Sequence, residues 1–493
     1  MAAECVSHFL NRVPMHARKF SYLVAACASC IGLWSFVDKD SGTTDPSPAG
    51  TMWERSSNAD NAVRGVGPND REHFPALGEL AFTLSAEELQ QGFKIIAGPD
   101  GDSNLIAHPN SPCWIELPKA QATKFTEPSQ SGAGFLGAEA CMACHKENYA
   151  SFLKTSHYSA SQAASSESIL GSFAAGENKL ETNHPDLSFT MTEASDGAFY
   201  QNVHLRSLTR SVRFDIVTGS GNLAQTYLFW EGDRLFQMHV SYYTRLKRWI
   251  NSPGYNDGTA WYARRTIPKC AECHMTYMEP IPATSNRFQR NQVIFGVTCE
   301  RCHGPGKEHV EHHRKYPGDR TSRFIANPSK LSRQAMNDVC AQCHLGSAEP
   351  LQQPFSFRPG DKVEDFWKVV EDEDSPQGNV HSSNQLQRLK MSKCFTGSQM
   401  TCADCHDPHR NERGNLALFS QRCIRCHPPA DCKKATELGA VADTNCIDCH
   451  MGMGYDDHIQ METADSIHMP LLRDHNIRVL PEATQRFMEQ LRR

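Results

Sequence analysis

Seven short segments of the chain place two cysteines and a histidine in the order Cys-x-x-Cys-His, and we number these motifs one to seven along the chain. Two thiols separated by two residues can form thioethers to the two vinyl groups of one haem, and the following histidine can bind the iron. The pattern therefore predicts seven covalent c-type haems. The predicted thioether cysteines are Cys141, Cys144, Cys270, Cys273, Cys299, Cys302, Cys340, Cys343, Cys402, Cys405, Cys423, Cys426, Cys446 and Cys449. The predicted proximal iron ligands are His145, His274, His303, His344, His406, His427 and His450.

Two other kinds of site use paired cysteines, and both fit this pattern less well. A zinc ribbon completes its tetrahedral ligation from elsewhere in the chain, so it does not require histidine directly after the second cysteine. A thioredoxin-like redox pair does not require an adjacent histidine either. Every Cys-x-x-Cys pair after residue 40 is followed by histidine, whereas Cys27-Ala28-Ser29-Cys30 is followed by Ile31. The haem interpretation is therefore preferred.

The remaining cysteines leave little room for disulfides. Of twenty cysteines, fourteen belong to the motifs and three lie within the first 30 residues. Cys113, Cys394 and Cys432 allow at most one disulfide. Because Cys394 and Cys432 both lie among the C-terminal motifs, they are the predicted pair.

Histidines outside the motifs are candidates for the second axial position. His157 follows the first motif by twelve residues of helical pattern, about 18 Å, so it could bind only a neighbouring iron. A surface histidine is the alternative for this position. His309 follows the third motif after Gly304-Pro305-Gly306, a turn that can direct it toward another haem. His409 comes three residues after the fifth motif, so it too must serve an adjacent haem if it binds iron.

Composition agrees with a fold built around cofactors. Hydrophobic residues make up 39% of the 493 residues, which is low for a protein of this size. Seven porphyrins would supply large apolar faces on which side chains and neighbouring macrocycles can pack. The net charge is −6, without the basic footprint of a nucleic-acid binder, so nucleic acid is not expected as a partner.

Residues 1–40 are predicted to be an export element. Arg12, Arg18 and Lys19 precede an apolar run from Phe20 to Val37, and this order favours a cytoplasmic N-terminus. Eighteen apolar residues are just enough to span a bilayer as a helix, so an uncleaved membrane anchor is predicted. A cleaved signal peptide is the alternative. Either way, the rest of the chain is expected on the periplasmic side of the cytoplasmic membrane.

Two further regions follow this segment. Residues 41–135 are predicted to be a linker and a haem-free N-terminal region, and residues 136–493 a heptahaem cytochrome c domain. Between about 187 and 243, β-branched and aromatic runs alternate with turn residues, which predicts a small antiparallel β insertion. Short helices and coil are expected elsewhere. The predicted fold class is therefore mainly α and coil, organised by stacked haems.

Two segments of the chain carry local sequence signals for a helix. Ser85 and Glu88 occupy the positions of a capping box, so a helix is predicted to begin there. Residues from Glu482 to Arg493 have the pattern of a closing helix.

Several segments resemble multihaem proteins of the cytochrome c-554 type, which are related to tetratricopeptide-fused multihaem cytochromes. The segments are Cys141 to His157, Gly219 to Asn222, Asn251 to Tyr255, Cys299 to His309, Cys402 to His409 and Asp474 to Arg478. The wider superfamily includes hydroxylamine oxidoreductase, and its members stack their haems in close parallel and perpendicular pairs. The resemblance implies that His157, His309, His409 and His475 are distal iron ligands. His468 is a further candidate.

The predicted function is periplasmic electron transfer through seven haems, most of them ligated by two histidines, a ligation that gives low-potential haems. The expected partners are redox proteins such as other cytochromes or a quinol-oxidising membrane complex, with membrane attachment through the N-terminal segment. The alternative is a multihaem oxidoreductase acting on a small nitrogen or sulfur compound at one five-coordinate haem. Donors for such a site could be Tyr242, Tyr243, Tyr262, Arg264 and Arg265, for which packing and propionate binding are the preferred roles.

Overall fold

The computed structural model describes residues 83–120, 134–370 and 380–492, so the predicted anchor lies outside the described residues. About 28% of the described residues are helical and 25% lie in strands. The prediction of a mainly α and coil fold is therefore wrong. Strands do occur across 187–243, but they also form before and after this range.

The helices contain between four and twelve residues. They are α1 Ala86–Gln90, α2 Glu139–Met142, α3 Lys146–Phe152, α4 Pro268–His274, α5 Cys299–His303, α6 Lys307–Lys315, α7 Arg333–His344, α8 Gln385–Lys390, α9 Lys393–Thr396, α10 Leu416–Ile424, α11 Ala435–Leu438, α12 Ile447–His450 and α13 Pro481–Leu491. Short 3₁₀ helices span Tyr158–Ala160, Pro328–Lys330, Val363–Asp365, Cys402–Asp404, Pro429–Asp431 and Gly439–Asp443. Within the described residues, no helix is long and apolar enough to cross a membrane.

The strands fall into a long N-terminal series and a few short C-terminal pairs. Before the third motif they are β1 Lys94–Ala97, β2 Ser103–Ala107, β3 Trp114–Pro118, β4 Ser161–Ala163, β5 Lys179–Glu181, β6 Leu187–Glu193, β7 Phe199–Leu205, β8 Leu208–Arg213, β9 Ile216–Thr218, β10 Ala224–Glu231, β11 Arg234–Gln237, β12 Val240–Tyr243, β13 Arg248–Asn251, β14 Ala260–Trp261, β15 Met275–Pro280 and β16 Phe288–Phe295. After it they are β17 Ala348–Pro350, β18 Trp367–Val369, β19 Met453–Tyr455, β20 Met461–Glu462, β21 Ile467–His468 and β22 Leu471–Arg473.

Three sheets dominate the described structure. One has the order β1-β2-β3-β14, with β14 parallel to β3. A second is the antiparallel meander β5-β6-β7-β8, and a third has the order β13-β12-β10-β9-β4 with β11 paired to β10. Antiparallel two-stranded ribbons are formed by β15-β16, β17-β18, β19-β22 and β20-β21.

Side-chain patterns explain why these segments form strands. In β6, Leu187, Phe189 and Met191 are buried while Ser188 and Thr190 between them are partly exposed, and β7 alternates in the same way. Such period-two burial is typical of a strand with one face in the core. In β10 almost every residue is buried, as expected for a central strand that is covered on both faces. Residues from these sheets form the largest apolar core, which includes Trp249 and Tyr227.

The two local helix predictions are confirmed. Ser85 Oγ accepts a hydrogen bond from the Glu88 N–H, and the Glu88 carboxylate accepts one from the Ser85 N–H, so α1 begins with a capping box. The closing helix is α13, which starts with Pro481 in its first turn, where the missing N–H costs nothing.

Candidate haem sites

Most of the motifs lie on helices or at their ends. The first and third motifs are on α2 and α5, the second on α4, the fourth at the end of α7, and the seventh on α12. Ser332 caps α7 by accepting from the Ala335 N–H, and Asn415 caps α10 before the sixth motif by accepting from the Leu418 N–H. Each cap fixes where its helix begins, and hence where the motif at its other end lies.

Motifs that are distant in sequence lie against one another. Four pairs of motif cysteines have thiols within hydrogen-bonding distance: Cys141 with Cys299, Cys273 with Cys343, Cys340 with Cys402, and Cys423 with Cys446. These contacts join the first motif to the third, the second to the fourth, the fourth to the fifth, and the sixth to the seventh. Haems attached at these cysteines would therefore be close neighbours.

A buried carboxylate fixes the first motif against the third. Glu300 accepts hydrogen bonds from the backbone N–H groups of Leu136 at 2.9 Å, Gly137 at 2.8 Å and Gly306 at 2.8 Å. The first two groups precede the first motif, and Gly306 lies in the turn after the third. Burial raises the pKa of Glu300, and the backbone N–H donors oppose that shift.

Hydrogen bonds also connect the second, third and fourth motifs. Arg301 donates to the Glu272 carbonyl at 2.9 Å, and Gln342 donates to the Arg301 carbonyl at 3.0 Å. All three residues lie between the two cysteines of their own motif. The bonds therefore fix the relative positions of three haem-attachment segments.

The same kind of link continues through the C-terminal motifs. The Cys402 N–H donates to Asn337 Oδ1 on α7 at 3.0 Å, and Arg422 donates to the Cys405 carbonyl at 2.7 Å. The Cys446 N–H donates to Ser420 Oγ at 2.9 Å. Together with the preceding bonds, these contacts form a continuous row of motifs from the first to the seventh.

Four motif histidines each face a histidine from outside the motifs. The ring centroids are 6.5 Å apart for His145 and His309, 6.5 Å for His344 and His157, 6.1 Å for His303 and His409, and 6.1 Å for His406 and His475. Metal–imidazole bonds of about 2.0 Å on both sides of one metal place the two ring centroids about 6 Å apart. Each pair therefore has the spacing of two axial ligands on one iron.

The hydrogen bonds of these histidines suit iron binding. Nδ1 of His303 lies 2.9 Å from the Ala326 carbonyl, and that of His309 lies 2.8 Å from the Arg323 carbonyl. His344 and His450 make the same type of contact, with the carbonyls of Ser382 and Arg478. A carbonyl can only accept, so Nδ1 carries the proton and the Nε2 lone pair is left for a metal.

Burial also keeps several of these rings neutral, which is the form that binds a metal. It lowers the pKa of His157 to about 4, of His475 to about 4 and of His406 to about 3. The residues present therefore fit haem iron at four motifs, with two histidines at each.

The other predicted ligands are placed differently. His468 contacts Tyr243, at 6.2 Å between ring centroids, and its Nε2 lies 3.0 Å from Ser466 Oγ, so the structure does not bring it to a motif histidine. Among the described residues, no histidine from outside the motifs stacks on His427 or His450. His427 is exposed, whereas His274 is only 3% exposed.

A small cavity lies beside the second motif. Cys270 and His274 line one side of it, which is where a haem attached at this motif would enter. The six-stranded sheet contributes Thr226 and Gln237 to the lining, and Arg265 also lines the cavity. The lining is mostly apolar, with Leu228, Ala271 and Met275 beside these few polar side chains.

Of the five predicted donors near the second motif, only Arg265 lines this cavity. The Tyr262 hydroxyl donates to Gln201 at 2.8 Å, and Arg264 bonds the Pro253 carbonyl at 2.8 Å, so both belong to the protein core. Sequence reasoning missed Thr226 and Gln237. Their position on neighbouring sheet strands was the available signal, but strand pairing could not be predicted.

The predicted disulfide is wrong. Cys394 and Cys432 are both free thiols in the described structure. Cys394 lies near Cys405 of the fifth motif, and Cys432 lies near Cys449 of the seventh. The two residues were paired because of their shared region of sequence, but each packs against a different motif.

Comparisons with known proteins agree with the geometry. The family model described as cytochrome c554 and c-prime matches residues 226–304, a span that contains the second and third motifs. The chain is 25% identical over 184 residues to the multiheme cytochrome MtrA of Shewanella baltica (strain OS185), covering 34% of this chain and 54% of that protein. The chain thus spans about half the length of this curated relative.

Two solved structures are similar at low sequence identity. The outer cell wall cytochrome OcwA has a TM-score of 0.45 and 16% identity, covering 72% of this chain and 81% of that one. The undecaheme cytochrome from the S-layer of Carboxydothermus ferrireducens has a TM-score of 0.33 and 14% identity, covering 78% and 65%.

The motifs, the family model and the match to MtrA define the class: the chain is similar to multihaem c-type cytochromes. Within that class, the predicted resemblance to the cytochrome c-554 type is confirmed by the match over residues 226–304. The similarity supports c-type haem as the cofactor and electron transfer as the class of function.

Proposed function

We propose that this protein transfers electrons through seven covalently bound c-type haems, most of them ligated by two histidines. The observation that carries the proposal is the set of four histidine pairs spaced for one iron each. When bound, haem supplies one-electron redox chemistry, and the protein positions and tunes it. Each motif would hold its haem by two thioethers and its own histidine.

The hydrogen bonds between motifs support a defined electron path. Following them gives the order first, third, fourth, fifth, sixth and seventh motif, with the second beside the third and fourth. Cys144 in the first motif and Cys426 in the sixth are exposed, whereas the second motif is buried. Electrons would therefore enter and leave through haems near the two ends of the row.

Location and partners belong to the same proposal. The N-terminal charge pattern and the extracytoplasmic attachment of c-type haems favour the periplasmic side of the cytoplasmic membrane, with the chain anchored or exported. Partners would be other cytochromes or a quinol-oxidising membrane complex. Relation to the hydroxylamine oxidoreductase superfamily stays a prediction.

Haem counting and spin state test this proposal. A pyridine haemochrome assay of the purified protein should return seven haems per chain, and EPR should show mainly low-spin ferric iron. His409→Ala should convert one haem to high spin. The matched control is His204→Ala, because His204 lies on β7 with its ring bonded to Thr190 and Thr209. A haem count well below seven, or the same spectrum in both variants, would contradict the proposal.

One observation favours a second function, reduction or oxidation of a small nitrogen or sulfur compound at the second motif. The cavity there has Thr226, Gln237 and Arg265 in its wall, so it offers hydrogen-bond donors to a small polar or anionic molecule. A high-spin ferric signal that Gln237→Leu alters, together with carbon monoxide binding, would support this function. A wholly low-spin spectrum without carbon monoxide binding would exclude it.

A further inference from the structure

Asp456 follows β19 and has a completely buried side chain, with 0% exposure. Its carboxylate accepts hydrogen bonds from the backbone N–H of Ser382 at 3.3 Å and of His458 at 3.2 Å. A buried carboxylate is costly unless it is well paired, so its surroundings decide its protonation state.

The groups that face Asp456 do not supply a permanent positive charge. His381 accepts from the Ser383 N–H through Nδ1 at 3.0 Å, so the ring proton is on Nε2, which lies 3.8 Å from the Asp456 carboxylate. Burial lowers the pKa of His381 to about 3, so this ring stays neutral. The other titratable neighbours are Asp457, which has the same charge as Asp456, and His458, whose side chain is 33% exposed.

Burial consequently raises the pKa of Asp456 to about 8, well above that of an ordinary aspartate. This carboxyl is therefore poised to change its protonation near neutral pH. The ring centroid of His458 lies 5.6 Å from that of His381.

Asp456 is connected to the fourth motif through a single residue. The Ser382 N–H donates to Asp456, and the Ser382 carbonyl accepts from Nδ1 of His344 at 3.2 Å. His344 is the proximal histidine of that motif, and His157 lies on its other side. A charge on Asp456 would therefore act on this haem at short range and in a poorly screening environment.

We infer that Asp456 binds one proton when the haem at the fourth motif is reduced and releases it when that haem is oxidised. The inference rests on the proposed function, because it requires a haem at this motif. In the forward step, a redox partner would supply one electron to the haem, whose iron would change from the ferric to the ferrous form. At the same time, the carboxylate takes one proton from solvent and an O–H bond forms; oxidation reverses both changes.

The direction of the coupling between haem oxidation and the protonation of Asp456 follows from charge. Ferric haem carries one more positive charge than ferrous haem, so it favours the carboxylate form of Asp456. Coupling between two sites is reciprocal, so the proton must also lower the affinity of the haem for the ferric state. The potential should fall as pH rises through the coupled range, by up to about 59 mV for each tenfold change in proton activity of a one-electron couple.

Spectroelectrochemical titration of the haem-loaded protein between pH 6 and pH 9 tests this inference. In the unchanged protein, one haem should show the pH-dependent potential. In Asp456→Asn that dependence should be lost, because the amide does not titrate. Asp457→Asn is the matched control, since its side chain is 46% exposed, and it should retain the dependence.

Infrared difference spectroscopy provides a second readout. Reduction should produce the band of a protonated carboxyl group, and this band should be missing in Asp456→Asn. Loss of the pH dependence in both variants, or its persistence in Asp456→Asn, would overturn the inference. Haem counting and peptide mass spectrometry separate the two proposals. A fourth motif without haem overturns both. Seven haems, together with a pH dependence of the potential that Asp456→Asn leaves unchanged, overturn only this inference.

Discussion

The sheets between residues 161 and 295 and the motif segments between 396 and 458 are stabilised by different means. The sheets enclose a side-chain core in which Trp249, Tyr227 and Phe189 are almost fully buried. Between 396 and 458 the buried apolar residues are Phe419, Ala442, Ile447 and Cys449. Three motifs lie in that short span, so haems bound there would supply much of its apolar core. The chain would then combine a protein core with a cofactor core.

The motifs themselves show the same difference. The second motif lies against the sheets, and both of its cysteines are buried. The sixth motif, in the cofactor-dependent span, has an exposed Cys426 and an exposed His427. Burial within protein suits a haem shielded from partners, whereas exposure suits electron exchange with another protein.

Removal of haem should produce the largest difference between the sheets and the span 396–458. Expressed without haem attachment, the chain should keep the sheets of residues 187–262 folded and lose structure between 396 and 458. Hydrogen exchange should show retained protection in the first range and almost none in the second, with the haem-loaded protein as the control. Equal protection of both ranges without haem would show that the contrast is mistaken.

The second largest effect should come from a core substitution that destabilises the sheets but not the span 396–458. Phe189→Ala removes a fully buried ring that stacks on His239, and should destabilise the sheets by about 3–5 kcal/mol. Urea unfolding of the haem-free protein, followed by tryptophan fluorescence, measures this change. Phe419→Ala is the matched control. In the haem-free protein it should leave the urea midpoint unchanged, and a similar loss in both variants would contradict the difference between the regions.

Glu300→Gln tests the contact that fixes the first motif against the third. The change replaces a buried carboxylate by an amide and weakens the three hydrogen bonds that backbone N–H groups donate to it. It should cost about 1–3 kcal/mol of stability. Thermal unfolding of the haem-loaded protein measures it. Glu308→Gln, an exposed position on α6, should leave the melting temperature unchanged. Equal effects would mean that the buried bonds contribute little.

The smallest expected effect is a pH dependence of the sheets alone. Burial raises the pKa of Glu231 on β10 from 4.5 to about 7, so the folded form binds this proton more tightly than the unfolded chain. Its stabilising contribution is complete below pH 4.5 and is lost as pH rises toward about 7. Denaturation at pH 5 and pH 8 should show the loss in the unchanged protein and a smaller one in Glu231→Gln. An equal loss of stability in the unchanged protein and in Glu231→Gln would show that Glu231 is not the cause.

The candidate sites were predictable where the chemistry is local. A Cys-x-x-Cys-His motif carries its own mechanism, and the spacing of His309 and His409 already indicated that they serve other haems. The bond between Glu300 and Gly137 joins positions 163 residues apart, and no local pattern indicates it. Such contacts depend on how the motifs stack in space.

The fold class was mispredicted for a related reason. The segments Met275–Pro280 and Phe288–Phe295 form a ribbon, yet they lie beside motifs where coil was expected. Strand formation depends strongly on what a segment packs against, and that information is tertiary. Strand β7 lies inside the predicted β insertion, because its alternation of buried and partly exposed residues is strong enough to be recognised from the sequence alone.

The histidine pairs also bear on the order in which the protein can mature. His309 follows His145 by 164 residues, and His344 follows His157 by 187 residues. A chain made from its N-terminus presents the first motif long before the partner of its histidine exists. Each pair, once joined by an iron, closes a long loop, and closing long loops restricts the unfolded chain most. The haem of the first motif would thus act as a delayed cross-link, completed only after His309 emerges.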